Sequence, residues 1–97
     1  MEVNRYIISP KAINDIRAIS GWHEEQSVDL GESFIIELRS KIRRIMKYPE
    51  MYKLVNSKVR RYKMRRFPYL VFYTIEQNTL IIRRVRHAKQ KLTQTDR

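Results

Sequence analysis

The stretch from Val59 to His87, VRRYKMRRFPYLVFYTIEQNTLIIRRVRH, limits the possible folds more than any other part of the chain. It is rich in Val, Ile, Tyr, Phe and Thr, residues that suit a pleated, half-buried surface, and it is broken at Phe67-Pro68 and at Gln77-Asn78. Three short strands joined by two tight turns are expected. In the first, Tyr62 and Met64 alternate with Arg61, Lys63 and Arg65, which makes one face apolar and puts three cations in a row on the other. In the second, Tyr69, Val71, Tyr73 and Ile75 alternate with Leu70, Phe72 and Thr74, an apolar pattern on both sides that suits a central strand. The third, Leu80 to His87, begins apolar and ends in Arg83, Arg84, Val85, Arg86 and His87. A three-stranded meander with a bare apolar face is unstable in water, so earlier segments must cover it.

Val3 to Ile8 reads as a short strand ending at Ser9-Pro10. Ser before Pro starts helices: the hydroxyl caps free backbone N–H groups, and Pro at the first helical position has no N–H to leave unsatisfied. Ala12, Ile13, Ile16, Ile19 and Trp22 or His23 then recur at helical spacing, with Lys11, Asn14, Asp15 and Arg17 expected to turn away. The pattern fades through Glu24, Glu25, Gln26 and Ser27. A second helix is expected from about Val28 or Asp29 to Tyr48, with Leu30, Phe34, Ile35, Leu38, Ile42, Ile45 and Met46 on one side and Pro49 as its stop. Gly31 costs this helix about 1 kcal/mol relative to Ala and points to close approach of the first helix. Arg39, Lys41, Arg43, Arg44 and Lys47 lie on the outer face, where cations near a helix C-terminus complement its dipole. The short connection implies an antiparallel hairpin. Met51 to Lys58 is expected to be a loop, and the tail AKQKLTQTDR, residues 88–97, to fray. The fold class is therefore α+β: an N-terminal strand, then an antiparallel helical hairpin packed on a mainly antiparallel sheet that the C-terminal meander completes.

Ninety-seven residues support one domain and one small core. No apolar run approaches the roughly 18 residues of a membrane span, and the N-terminus lacks the pattern of a signal peptide, so a cytoplasmic protein without a membrane partner is expected. There are no cysteines, and the two histidines are His23 and His87, an inventory that excludes a thiol nucleophile and a structural zinc; no metal or cofactor is expected. The formal charge of +11, from 21 Lys and Arg against 10 Asp and Glu, repels itself unless a partner supplies anions. Nucleic acid and an acidic protein both answer that description, and composition does not choose between them.

The order of elements, together with Ser9-Pro10-Lys11-Ala12, Tyr48-Pro49-Glu50, Arg66-Phe67-Pro68-Tyr69 running into Val71-Phe72-Tyr73, and Val85-Arg86-His87 closing the last strand, resembles the RelE/ParE superfamily of type II toxin-antitoxin toxins. The resemblance covers nearly the whole chain and is closer to ParE-like members. It implies a toxin silenced by a cognate antitoxin that wraps it, acting either on DNA gyrase or, as RelE-like members do, on the ribosome as an mRNA endoribonuclease that needs no metal. For the nuclease, the resemblance implies Lys63, Arg65 and His87 as catalytic residues. Target binding in either case falls to Arg61, Lys63, Arg65, Arg84, Arg86 and Lys89. Two positions depart from the nuclease pattern: Leu70 stands where RelE-like chains carry an arginine, and Ala88 where they carry a cation, although Lys89 adjoins it. A degenerate toxin fold kept only as a binding module is a further alternative.

Each residue also has a plainer reading. A lone His at a strand end is commonly a satisfied surface group. Cations along an edge strand discourage aggregation. Trp22, Tyr62, Tyr69, Phe72 and Tyr73 could stack on bases, but a domain this small needs aromatics for its core. Glu24 and Glu25 have no partner at a spacing that suits acid–base chemistry.

Overall fold

The computed structural model describes residues 3–89. Strand β1 spans Arg5–Ile8, helix α1 Pro10–Gln26, helix α2 Val28–Lys47, and strands β2 Lys53–Leu54, β3 Arg60–Lys63, β4 Tyr69–Glu76 and β5 Thr79–His87 follow. They form one sheet in the order β1-β5-β4-β3-β2. β1 runs parallel to β5, and the other pairings are antiparallel. β4 is central, as its two-sided apolar pattern requires.

Ser9 starts α1 as the sequence implies, its Oγ accepting the Ala12 N–H at 3.2 Å. The same hydroxyl donates to the Arg83 carbonyl at 3.0 Å, so the helix cap also fixes α1 to β5. Ser27 alone separates the helices, closing α1 through its N–H to the His23 carbonyl and standing at the N-cap of α2. Such a tight hairpin presses the helices together at Gly31, where a Cβ would lie 2.9 Å from the Ser20 carbonyl oxygen and 3.1 Å from Glu24 Cβ. Glycine is needed there for space.

Both helices pack on one face of the sheet. Phe34, Leu38, Ile42 and Ile45 of α2 and Ala12 of α1 are buried against Tyr62, Val71, Tyr73, Leu80, Ile82 and Val85. The Tyr73 hydroxyl donates to the Pro49 carbonyl at 2.8 Å, and burial pushes its pKa well above the usual phenol range. Gln77 and Asn78 both take positive φ, 50° and 62°, which gives the β4–β5 turn the twist of a two-residue hairpin. The ladder between β4 and β5 slips once, pairing Phe72 with Arg84 but Tyr73 with Ile82, so Arg83 is the extra residue of a bulge.

One expectation for the fold is corrected. Within the span expected to be loop, Lys53 and Leu54 pair with Arg61 and Arg60 and add a fifth, edge strand. Arg60 holds that segment in place, its guanidinium donating to the carbonyls of Tyr52 at 2.7 Å and Glu50 at 3.1 Å. The expected fraying of 88–97 concerns, beyond Lys89, residues outside those described.

Candidate functional site

The sheet face turned away from the helices has cations built into its register. Arg61, Phe72 and Arg84 form one cross-strand row, and Lys63, Leu70 and Arg86 the next, so two apolar residues of β4 are flanked on both sides by basic ones. Phe72 is completely buried and Leu70 nearly so, although no helical residue belongs to their cluster; Val59 joins them, with Val55 and Ala88 at the border. Aliphatic stems of flanking Lys and Arg shield such a strip while their heads stay in water. Lys63 is exposed, Arg61 is half-buried, and Arg65 follows exposed in the turn after β3.

Arg84 does not contribute its charge to this face. Its Nε and Nη2 donate to Asp15 Oδ2 and Oδ1 at 2.8 and 3.1 Å, and both side chains are only 15% exposed. Asp15 Oδ2 also accepts the Val85 N–H at 2.9 Å. The cause is geometric: β1 pairs with β5 only as far as Ile82, and beyond it α1 runs alongside the uncovered strand edge with Asp15 as acceptor. Asp15 was expected to point away from the core, and Arg84 to lie with the binding cations; the structure corrects both placements. A signal was present in the spacing of Ala12, Asp15, Ile16 and Ile19, which puts Asp15 within the buried stripe. Arg83, the bulge residue, is also engaged, donating to Thr74 Oγ1 at 3.0 Å and pairing with Glu76. The Asp15–Arg84 pair joins segments far apart in sequence, and the Glu76–Arg83 pair depends on the β4–β5 register and its bulge, so neither partner could be read from local pattern.

His87 belongs to the other side of the sheet. It pairs with Tyr69, and the two rings meet edge to face with centroids 5.5 Å apart. Its Nδ1 accepts the Lys89 N–H at 3.0 Å, so the neutral ring carries its proton on Nε2. Lys63 and His87 are thus brought to opposite faces and not together. His87 instead lines a cleft of about 350 Å³ between α1 and the end of β5, with Asp15, Ala18, Ile19, Trp22, Tyr69, Val85 and Arg86. Behind the cleft, His23 is the buried member of the Trp22/His23 pair. Its Nε2 lies 3.0 Å from the Tyr69 hydroxyl, and its ring sits among Trp22, Phe34, Phe67 and Tyr69. Burial pushes the His23 pKa down and that of Tyr69 up. Trp22 stays 56% exposed at the lip of the cleft. Among the described residues no group of three His, Asp or Glu side chains is placed to hold a metal ion, and no helix is long and apolar enough to cross a membrane.

Comparison with known proteins agrees with this architecture. A chain of the chromosomal ParDE TA system from P. aeruginosa superposes with a TM-score of 0.76 at 12% identity, covering 88% of this chain and 95% of that one, which establishes a shared fold. Among curated proteins none matches the sequence. The family model for the ParE toxin of the parDE type II toxin-antitoxin system matches residues 6–92, from β1 past the end of β5. With the strand, hairpin and meander of that fold in place and the match running through all of them, this chain belongs to the ParE toxin family of type II toxin-antitoxin systems.

Proposed function

We propose that the chain acts by binding and inhibiting DNA gyrase, that it is neutralised by a cognate antitoxin, and that the sheet face carrying Arg61 and Lys63, together with Arg65 in the adjoining turn, is the surface that engages the target. The observation that carries the choice of target is the separation of Lys63 from His87. Metal-free RNA cleavage needs a proton acceptor, a proton donor and phosphate-binding cations converging on one phosphate. Here Lys63 and the imidazole lie on opposite faces of the sheet, although Arg86 lines the cleft that holds His87. Leu70, where a RelE-like nuclease carries arginine, is 6% exposed and part of an apolar cluster. A toxin that only binds its target needs neither an arginine at position 70 nor an imidazole beside Lys63. The ribosome-dependent endoribonuclease is the second reading, favoured by the exposure of Lys63 and Arg65. Antitoxin binding fits the surplus of positive charge, which an acidic partner would neutralise.

The test is induction in cells with parallel pulse-labelling of DNA synthesis and translation. Arrested replication with DNA damage is expected; immediate arrest of translation with cleaved transcripts would replace gyrase with the ribosome as the target. Growth without arrest would leave a binding module.

A further inference from the structure

A second cavity, of about 320 Å³, lies between α2 and the turn that follows β3. Ser33, Ile36, Glu37, Ser40 and Lys41 line it from the helix, at i, i+3, i+4, i+7 and i+8 and therefore on one face, and Arg66 lines it from the turn. None of these residues belongs to the proposed target surface or to the cleft beside Trp22. Glu37 precedes Lys41 by four residues, the order in which a helical carboxylate and ammonium pair most readily. Yet among the described residues neither of them forms an ion pair, and nor does Arg66. Lys41 is half-buried; Arg66 is exposed, its guanidinium carbon 5.4 Å from the centroid of the Phe67 ring, a contact with a ring and not with a hydrogen-bond acceptor. Glu37 Oε2 is shielded from solvent and meets no donor, the one buried side-chain polar atom in that state among the described residues. An acceptor left so is costly, and a group that donates to the carboxylate recovers the loss. The terminal torsion of a glutamate is soft, so the carboxylate can turn toward a donor in the cavity.

A ligand for this cavity needs both kinds of group. A simple anion meets Glu37, and a simple cation meets Lys41 and Arg66. As helical neighbours four apart, Glu37 and Lys41 stand roughly 6 Å from each other at Cβ, about the width of a sugar ring. A ribose phosphate spans that gap with the right ends: neighbouring hydroxyls that donate to a carboxylate, and a phosphate that takes charge-assisted hydrogen bonds from Lys and Arg. The Ser33 and Ser40 hydroxyls suit a polyhydroxylated ligand in the same way, and the 60% exposed Ile36 offers an apolar rest for a base. The volume is at the small end for ligand sites and admits one nucleotide. We propose that this cavity binds a ribonucleotide, its 2′- and 3′-hydroxyls donating to Glu37 and its phosphate held by Lys41 and Arg66. This binding is independent of gyrase inhibition, and its test contains no gyrase.

The full-length protein is titrated in a calorimeter at about 0.15 M salt, which screens diffuse attraction to so basic a chain, with adenosine 5′-monophosphate, its 2′-deoxy form and inorganic phosphate in turn. The ribonucleotide is expected to bind saturably and about tenfold more tightly than the deoxy form, which lacks one donor to a charged acceptor; inorganic phosphate should bind more weakly than either. Glu37→Gln separates hydrogen bonding from plain charge. Removing a negative charge raises the affinity of a ligand held only as an anion, whereas donation to the carboxylate requires the variant to bind the ribonucleotide more weakly and to lose the preference over the deoxy form. Lys41→Gln should weaken the ribonucleotide and inorganic phosphate alike. Equal melting temperatures for each variant and the parent would confirm that the losses are local. No saturable binding of the ribonucleotide, equal affinity for the deoxy form, or tighter ribonucleotide binding by Glu37→Gln would overturn the proposal. So would a short peptide of alternating lysine and glutamate that displaced the nucleotide at a lower concentration, since the cavity would then be an anchor for a protein partner.

Discussion

The two faces of the sheet bury their central residues equally well by different means. On one, Val71 and Tyr73 lie beneath two helices, in a core continuous with Phe34, Leu38 and Ile42. On the other, Phe72 is as completely buried with no helix above it, in a cluster of three buried residues bordered by basic side chains. The helix-covered face is closed over its centre, and at its β5 edge the largely buried Arg84 is paired with Asp15. The bare face has an apolar strip too narrow to serve as a core, and the cations that shield it must stay in water. A surface of that kind buries fewer residues than the helix-covered core and keeps Lys63 in water.

Substitutions on the two faces should separate these roles. Phe34→Ala, in the sealed core, should destabilise by about 4 kcal/mol, since the helices limit collapse around the cavity. Phe72→Ala should cost less, about 3 kcal/mol, because a thin cover can settle into the space; equal losses in urea denaturation would mean that the bare face is packed as rigidly as the other. Asp15→Ala leaves Arg84 and the Val85 N–H without their acceptor in a mostly buried position, and a loss of about 2 kcal/mol is expected. Glu76→Ala removes the partner of the more exposed Arg83 and should cost under about 1 kcal/mol.

Acid should act through the sealed face. Desolvation lowers the folded-state pKa of His23, so its contribution is present above the unfolded value of about 6.5 and is lost as pH falls through that value toward the lower folded one. The melting temperature should drop from about pH 7.5 to about pH 5.5, and less steeply in His23→Gln. An unchanged slope in that variant would assign the acid sensitivity to other groups.

The same contrast explains what the sequence made legible. Alternation in β4 and in β3 as far as Lys63, the Ser9-Pro10 start and the tight Gly31 crossing follow from periods and backbone chemistry and appear as read, whereas Arg65, read as the third cation of the β3 row, lies in the turn beyond that strand. β2 escaped notice because two residues, Lys53 and Leu54, have no period; only pairing with β3 makes them a strand. The row of Arg61 and Lys63 could be read from alternation, whereas the destination of Arg84 depends on a bulge at Arg83 and on where β1 stops, which are tertiary facts. His23 and Trp22 are adjacent on α1, and the choice between them rested on a hydroxyl 46 residues away, that of Tyr69.

The claim most exposed to test is that the bare face does the work. In purified form, Lys63→Ala with Arg65→Ala should melt as the parent does, because both side chains are exposed, yet its induction in cells should leave growth and DNA supercoiling undisturbed where the parent is expected to arrest both. A doubly substituted protein that is folded and stops growth as fast as the parent would contradict the account and move the working surface elsewhere on the molecule.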